Sequence, residues 1–330
     1  MMLDVFKGDA FSFTELVAAI NKIPYVPTKI GSMGLFNAEG IYTLSAAIEM
    51  QNGVLTLVPT APRGAGGPAK NVEKRTVRDF RTVHLPQRVA VTADEVLGIR
   101  TFGSQTETEA ATALLQRKMA IARRDLDLTH EWQRMGAIKG QVLDSDATTV
   151  LYDFFTEFGV AQQTLSYALG TDTTKVRGKC TTLERMIEDT LGGVMMSGID
   201  VLCSKEFFDA LVDHPAVTET FKYTDGAPLR NNQRMTFEFG GCNFTEYRGQ
   251  VGATRFIAAG DAYAIPRGVP DLFKSFFSPA DYMDTVGSLG MPFYMKARSM
   301  DFDRGIEYEV QSNPLHICTR PEAVVKLTVA

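Results

Sequence analysis

Apolar positions along the chain follow two periods, and the places where each period breaks mark the elements. Near the start, Ser12 and Glu15 have the spacing of a helix capping box, and Leu16, Val17 and Ile20 fall on one helical face. This predicts a short helix within residues 1–22. Over residues 23–34 the period is lost. Pro24 and Pro27 hold the chain extended, and each restricts the residue before it. An arm carrying Ile23, Tyr25, Val26 and Ile30 without periodicity needs another surface to lie on. Residues 41–44 and 54–58 then read as strand. Residues 59–70 contain three Pro and three Gly, which forbid helix and central strand alike. Extended character returns over 72–91 with Val72, Val77, Phe80, Val83, Leu85, Val89 and Val91. The pattern predicts a two-stranded finger with a flexible tip. A lone hairpin is marginal in water, so the finger must lean on something, and the body of its own chain need not be that surface.

Residues 105–135 carry the clearest helical period. Thr106 and Glu109 repeat the capping-box spacing, and Ala111, Leu114, Leu115, Met119, Ala122, Leu126, Trp132 and Met135 recur on one side. No Gly or Pro intervenes before Gly136 and Gly140. Thirty such residues span roughly 45 Å, the length of a spine across an elongated subunit. Residues 137–158 read as a β-hairpin, with arms 137–143 and 148–155 around Asp144-Ser145-Asp146-Ala147. A polar loop is expected over 171–178, then an α/β region: an amphipathic helix over 183–191, a buried strand over 199–203, and a helix capped by Ser204 running through Leu211. Short strands fill 220–265, and extended segments flank Asn313-Pro314 over 303–328.

Composition narrows the class. The 330 residues suggest about two domains, and 45% hydrophobic with 22% charged residues is ordinary for a globular protein. A net charge of -5 argues against a generic nucleic-acid binder. That charge is unevenly spread. Between Arg63 and Arg88 seven basic residues, including Arg75, Arg78 and Arg81, face two acids, so the finger carries +5 and the rest of the chain -10. Such a finger can seat on the acidic surface of a neighbouring copy, with Glu107 or Glu109 as candidate partners. The plainer reading is a solvated basic hairpin. Four scattered cysteines without a C-x-x-C fit a reducing compartment. No apolar run reaches the ~18 residues of a membrane span. Asp4, Asp9 and Glu15 interrupt any signal peptide, so a chain cytosolic when made is expected.

Catalytic and binding motifs fail on inspection. Gly64-x-Gly66-x-x-Ala69 imitates a dinucleotide fingerprint, but Pro68 removes an amide and a strand follows where a helix is needed. His130-Glu131-x-x-Arg134 lacks the second histidine of a zinc helix. Asp144-x-Asp146 has Ala147 near the glycine position of a calcium loop and Phe155 at its closing glutamate. No catalytic constellation, metal site or cofactor is expected.

The C-terminal third carries a more specific pattern. Gly260-Asp261-Ala262-Tyr263 leads to Gly268-Val269-Pro270 and Ser278-Pro279-Ala280-Asp281. Thr285-Val286-Gly287-Ser288-Leu289-Gly290 continues to Tyr294-Met295-Lys296. Glu309-Val310-Gln311-Ser312-Asn313-Pro314-Leu315 and Cys318-Thr319-Arg320-Pro321-Glu322 close it. Together with His130-Glu131-Trp132-Gln133-Arg134 and Gly136-Ala137-Ile138-Lys139-Gly140, this resembles the major capsid protein family of lambda-like tailed phages. The resemblance covers nearly the whole chain.

The resemblance implies an α+β Hong Kong 97-type capsid fold. Residues 1–40 would be the N-terminal arm and 41–95 the extended loop. Residues 96–179 would be the peripheral domain with spine helix and hairpin, 180–300 the axial domain, and 301–330 return strands of the peripheral domain. It implies a protein that self-assembles as hexamers and pentamers into an icosahedral head enclosing double-stranded DNA, with shell expansion on maturation. It further implies a separate scaffolding protein, since the chain begins at the arm. A portal protein, a decoration protein near the three-fold axes and weak nonspecific contact with DNA belong to the same expectation. Assembly is expected in the host cytoplasm and residence in the virion. Neither partner of the Lys–Asn crosslink of some relatives maps onto this chain. The bottom-up reading agrees that arm, finger and spine suit a subunit burying its extensions on neighbours. Ile23, Tyr25, Val26, Arg63, Arg75, Arg78, Arg81, Glu107 and Glu109 are the candidate contacts. An encapsulin-type shell is the first alternative and a cytosolic α/β hydrolase, lacking a nameable nucleophile, the second. Direct DNA recognition is the third, made weak by the net charge of -5.

Overall fold

A computed structural model of the chain describes residues 12–23, 28–50, 76–95, 107–222 and 236–330. Helix α1 (Phe13–Lys22) begins as its spacing predicts. The Ser12 hydroxyl accepts from the Glu15 amide at 3.4 Å, and Leu16, Val17 and Ile20 are its buried positions. The arm differs from its sequence expectation. It contains a helical turn, α2 (Lys29–Ser32), because Ile30 has a buried site to fill. Strand β1 (Asn37–Gly40) follows. Residues 41–44 are not strand: the chain bends there and leaves Tyr42 and Leu44 67% exposed, so strand propensity loses to the lack of a packing face. Strand β2 (Ser45–Met50) pairs with β3 (Thr76–Arg81) as a two-stranded sheet. The 54–58 run and the 59–70 segment lie outside the described residues. Strand β4 (Leu85–Thr92) comes next.

Helix α3 (Glu107–Lys139) is 33 residues long, about 50 Å. It runs through Gly136, beyond the end that the glycine predicts. A Cβ there would lie 2.9 Å from the Val142 Cα, so Gly136 serves the close approach of the next strand. The helix stops at Gly140, at φ +82. The hairpin is therefore shorter than 137–158. Its strands are β5 (Gln141–Leu143) and β6 (Val150–Asp153). In its turn the Asp146 carboxylate accepts from the Thr148 and Thr149 amides at 2.9 Å each and from the Thr149 hydroxyl at 2.6 Å. These bonds hold its carboxyl well below the usual range and explain the aspartate without a metal. The second arm ends at Asp153, whose carboxylate accepts from the Phe155 and Thr156 amides and caps α4 (Phe154–Phe158).

Strand β7 (Thr164–Ser166) precedes α5 (Val176–Leu191). This helix starts inside the expected 171–178 loop, because its buried stripe Cys180, Leu183, Ile187 and Leu191 extends back to Val176. Strand β8 (Gly198–Cys203) is the predicted buried strand, and Ser204 caps α6 (Lys205–Asp213) by accepting from the Phe207 amide. Helix α7 (Pro215–Lys222) opens on proline. Then come β9 (Phe237–Phe239), β10 (Cys242–Glu246), β11 (Gln250–Val251), β12 (Thr254–Arg255), β13 (Asp261–Arg267), β14 (Phe273–Phe277), β15 (Tyr294–Ser299), β16 (Gly305–Ser312), β17 (Pro314–Cys318) and β18 (Val325–Thr328).

The α+β chain gathers into two compact units. One holds residues up to 48, 79–131 and 274–316. Its antiparallel sheet is ordered β15-β16-β4, and a second sheet runs β1-β14-β17. Leu16 and Ile20 of α1, Leu115, Met119 and Leu126 of α3, and Tyr308 and Val310 of β16 share its core. Each such side chain contributes about 1.5–3 kcal/mol. Strand β4 pairs with β16 from Leu85 to Thr92. The base of the expected finger thus leans on its own chain, since Val91 and Val89 belong to that core. The other unit holds 49–78, 132–273 and 317–330. Its six-stranded sheet is ordered β7-β18-β13-β8-β10-β9, with β8 and β10 parallel and β8 and β13 antiparallel.

Candidate functional site

Two kinds of feature stand out: a buried polar seam in the first unit, and the exposed residues that a partner can reach. The seam begins on α3, where His130 and Glu131 are each 2% exposed. Glu131 is a clamp on the arm. Its Oε1 accepts from the Ile30 amide at 2.8 Å and its Oε2 from the Gly31 amide at 3.2 Å. These are orphan donors at the start of α2, and a carboxylate is the group that satisfies two of them at once. One turn pair earlier on α3, Arg123 ties down α1. Its Nη1 donates to the Ile20 carbonyl at 2.8 Å and its Nε to Asp127 at 3.1 Å, while its guanidinium lies 3.7 Å from the Phe293 ring centroid. The long helix thereby holds both pieces of the arm.

His130 faces the C-terminal motif. Its Nε2 is 3.0 Å from the Ser312 Oγ, its ring stacks on Phe293 at 5.3 Å, and Ser312 donates to the Pro292 carbonyl at 2.6 Å. The Asn313 amide donates to the Pro279 carbonyl at 3.1 Å and to the Gln311 Oε1 at 3.3 Å. Its Oδ1 meets the His84 Nδ1 at 2.8 Å. The Thr82 and Ser278 hydroxyls lie 2.9 Å apart. Residues 82–84 are the base of the finger, so the Gln311-Ser312-Asn313 segment anchors it. Buried polar groups demand partners, and leaving one orphaned costs about 1–3 kcal/mol, which accounts for these residue types.

Two of these contacts are Ser–His pairs, Ser312 with His130 and Ser275 with His316 at 2.6 Å. All four side chains are buried. A nucleophile needs substrate access and an open oxyanion position, and burial of all four side chains denies that access. A cavity lined by Ser204, Glu206, Tyr247 and Arg255 measures about 50 Å³, against ~300–1,000 Å³ for a typical ligand site. Among the described residues no group of His, Cys, Asp and Glu has metal-site geometry. Lys139 is largely buried, with its Nζ donating to the Phe256 carbonyl at 3.1 Å; burial lowers its pKa. Trp132, beside Glu131 in sequence, belongs to the second unit, where its indole N–H donates to the Leu143 and Asp144 carbonyls and fixes the hairpin.

The candidate contacts fall in different places. Ile23 packs against the first unit's own core. Tyr25, Val26, Arg63 and Arg75 lie outside the described residues. Arg78 has an intrachain neighbour, Glu157, at 3.5 Å. Arg81 is exposed at the end of β3. Glu107 opens α3 and Glu109 lies in its first turn. Arg88, counted in the finger's charge, is spent on its own sheet, 3.5 Å from Glu309, its register partner in β16.

The sequence reading missed one exposed feature. The β15–β16 connection carries Phe302, 90% exposed, at φ +58, followed by Asp303 at φ +53. Two successive left-handed non-glycine residues are strained, and here they present an aromatic ring between Asp301 and Asp303. The acid–aromatic–acid run between two strands was the available signal.

A family model described as phage major capsid protein E matches residues 12–329. The major capsid protein of Pseudomonas phage KPP10 is 27% identical over an alignment of 338 residues that covers 96% of each chain. That of Salmonella phage Felix O1 is 24% identical over 361 residues, covering 98% of each. The solved capsid of Myoviridae phage XM1 shares the fold, with a TM-score of 0.52 at 10% identity over 93% of each chain.

Proposed function

The chain belongs to the phage major capsid protein E family, and from that premise we propose how its parts build a shell. It is a major capsid protein of a tailed phage with the Hong Kong 97-type fold, and its copies associate to form the capsid of the virion. The matches are to phage major capsid proteins, and the lambda-like grouping stays a resemblance of the motifs. The match over residues 12–329 is the observation that carries the reading.

The finer picture is ours. The unit built on β15, β16 and α3 is assigned to the peripheral domain, and the unit with the six-stranded sheet to the axial domain. Hexamers and pentamers close an icosahedral head around double-stranded DNA, and the shell expands from a rounder precursor. A separate scaffolding protein shapes assembly in the host cytoplasm, a portal protein occupies one vertex, and a decoration protein near the three-fold axes is compatible with the design. DNA contact is weak and nonspecific, consistent with a net charge of -5. The buried seam supplies rigidity. The arm and the +5 finger, including Arg63, Arg75, Arg78 and Arg81, supply contacts with neighbours whose acids include Glu107 and Glu109.

Electron microscopy of the purified protein beside sedimentation velocity tests this. Closed shells, tubes or capsomer-sized rings are expected. A monomer that stays small at high concentration with scaffolding protein present would overturn it. The strained tip adds a sharper expectation. Exposed aromatics that fill a partner's pocket are frequent hot spots worth about 2 kcal/mol or more. Phe302→Ala should therefore cut shell yield several-fold while the subunit's unfolding midpoint holds or rises. Particle counts by negative stain check it, and unchanged yield removes the tip from the contact surface.

A further inference from the structure

The connection between β14 and β15, in the first unit, is built inside out. Its polar side chains turn inward. Thr285 is buried, and its hydroxyl donates to the Ala280 carbonyl at 2.7 Å. The Ser288 hydroxyl donates to the Thr285 carbonyl at 2.7 Å, and the Met291 amide donates to the Tyr294 hydroxyl at 2.7 Å. These bonds hold the loop in one shape with its apolar side chains outward. Met283 and Val286 are 86% and 75% exposed, and Leu289 and Met291 are half exposed. The bend at 41–44 continues the surface. The Gly290 amide donates to the Ile41 carbonyl at 2.9 Å, and a Cβ on Gly40 would lie 2.9 Å from the Leu289 Cγ. Tyr42 and Leu44 stand out from that bend. Six of the twelve large apolar side chains exposed among the described residues therefore come from two adjoining stretches, so the exposure is concentrated rather than scattered. Together they present on the order of 600 Å². That is the upper end for the largest patch of a monomer, and most of the ~800 Å² that a standard interface takes from each partner.

We propose that this patch is covered by a second copy of the chain, met head to tail. The inference rests on the assembly reading above, which makes another copy the partner, and it assigns the face that copy covers. The rim decides the manner of contact. Glu39 and Asp281 are exposed beside the patch, whereas Asp284 is matched by Lys296 at 2.5 Å. Two such patches facing each other across a two-fold axis would set acid against acid. The tip at Phe302 is unsuited for the same reason, since Asp301 and Asp303 flank it. The counterpart is therefore a different, basic surface of the copy, and the contact is heterologous. The positive excess of the chain lies in residues 63–88, directly after the apolar run Val54-Leu55-Thr56-Leu57-Val58. That stretch of the copy brings both things the patch lacks: cations for the rim and apolar side chains for the middle. Met283 and Met291 suit such a contact, because unbranched thioethers adapt to the surface laid on them.

The test uses the full-length chain with two exposed positions altered. Met283→Ser with Val286→Ser should lower the yield of closed shells by about tenfold or more, counted by negative stain. The unfolding midpoint of the subunit should stay within about 2 °C or rise, since neither side chain packs within the chain. A photoreactive residue placed at position 286 then identifies the occupant. In shells mixed from isotopically heavy and light chains, it should link to residues 54–88 and give heavy-to-light pairs. A double variant that assembles normally would overturn the proposal. So would a link to another protein, to the Phe302 tip or to the patch of the copy. The two readings fail separately. If the unaltered chain makes no shells, the assembly reading fails and the patch falls with it. If the unaltered chain and the double variant both make shells, only the patch fails.

Discussion

Replacing Glu131 with alanine should lower the subunit's unfolding midpoint by about 10 °C and abolish shell formation. The carboxylate is buried and accepts two backbone hydrogen bonds, from Ile30 and Gly31. Truncation removes both and leaves two amide donors without an acceptor, a loss of about 3–5 kcal/mol at ~1–3 kcal/mol per orphaned group. For a unit of this size each kcal/mol moves the midpoint by roughly 2–4 °C. The effect on assembly has a separate cause. Ile30 is fully buried, and α2 is where the arm fastens to the long helix. Once the clamp opens, the chain on either side of α2 is no longer held in one place, and a neighbour has no fixed surface to meet. Glu131→Gln discriminates between charge and shape. One amide oxygen still accepts, while the NH₂ faces an N–H donor, so a loss of about half the size is expected. Differential scanning calorimetry reads the first effect and electron microscopy the second. An alanine variant that melts with the unaltered protein would show that Glu131 does not hold the arm.

Local signals in the sequence were readable where the cause is local. Ser12 and Ser204 announce their helices because a hydroxyl three residues before an amide is a short-range device. The stripe on α5 is a period, and it only needed extending back to Val176. Misreadings arose where a distant neighbour decides. The run at 41–44 has strand-forming side chains, but no sheet face receives Tyr42 and Leu44. Gly136 looks like a helix end because glycine usually marks one, yet here it admits the Val142 backbone. The seam was legible as a family pattern and illegible as physics. His130 meets Ser312 across 182 residues and Glu131 meets Ile30 across 101. No spacing rule connects positions so far apart. The resemblance could point to those residues, while their roles as clamp and anchor follow only from the distances.

The second large effect concerns the finger. Arg78→Glu with Arg81→Glu should reduce closed shells more than tenfold while leaving the unfolding midpoint within a few degrees. Each reversal removes two units of charge, so the finger falls from +5 to +1 on a chain whose remainder carries -10. Attraction to an acidic neighbour is then nearly gone. A single weakened contact would cost only about 1 kcal/mol, a few-fold in affinity. A shell repeats that contact on every subunit, and multivalency turns a small loss per contact into loss of the lattice. The folded subunit is affected little, because the ion pair of Arg78 with Glu157 at 3.5 Å is half exposed and worth at most ~1 kcal/mol. That pair also supplies the decisive control. Adding Glu157→Arg to the double variant restores an opposite charge beside position 78 within the chain but does nothing for a neighbour. If shells return, the arginine acts by holding the finger to its own body. If assembly stays lost and high salt weakens the unaltered protein in parallel, the charge acts between copies, where screening within about 10 Å is expected to matter.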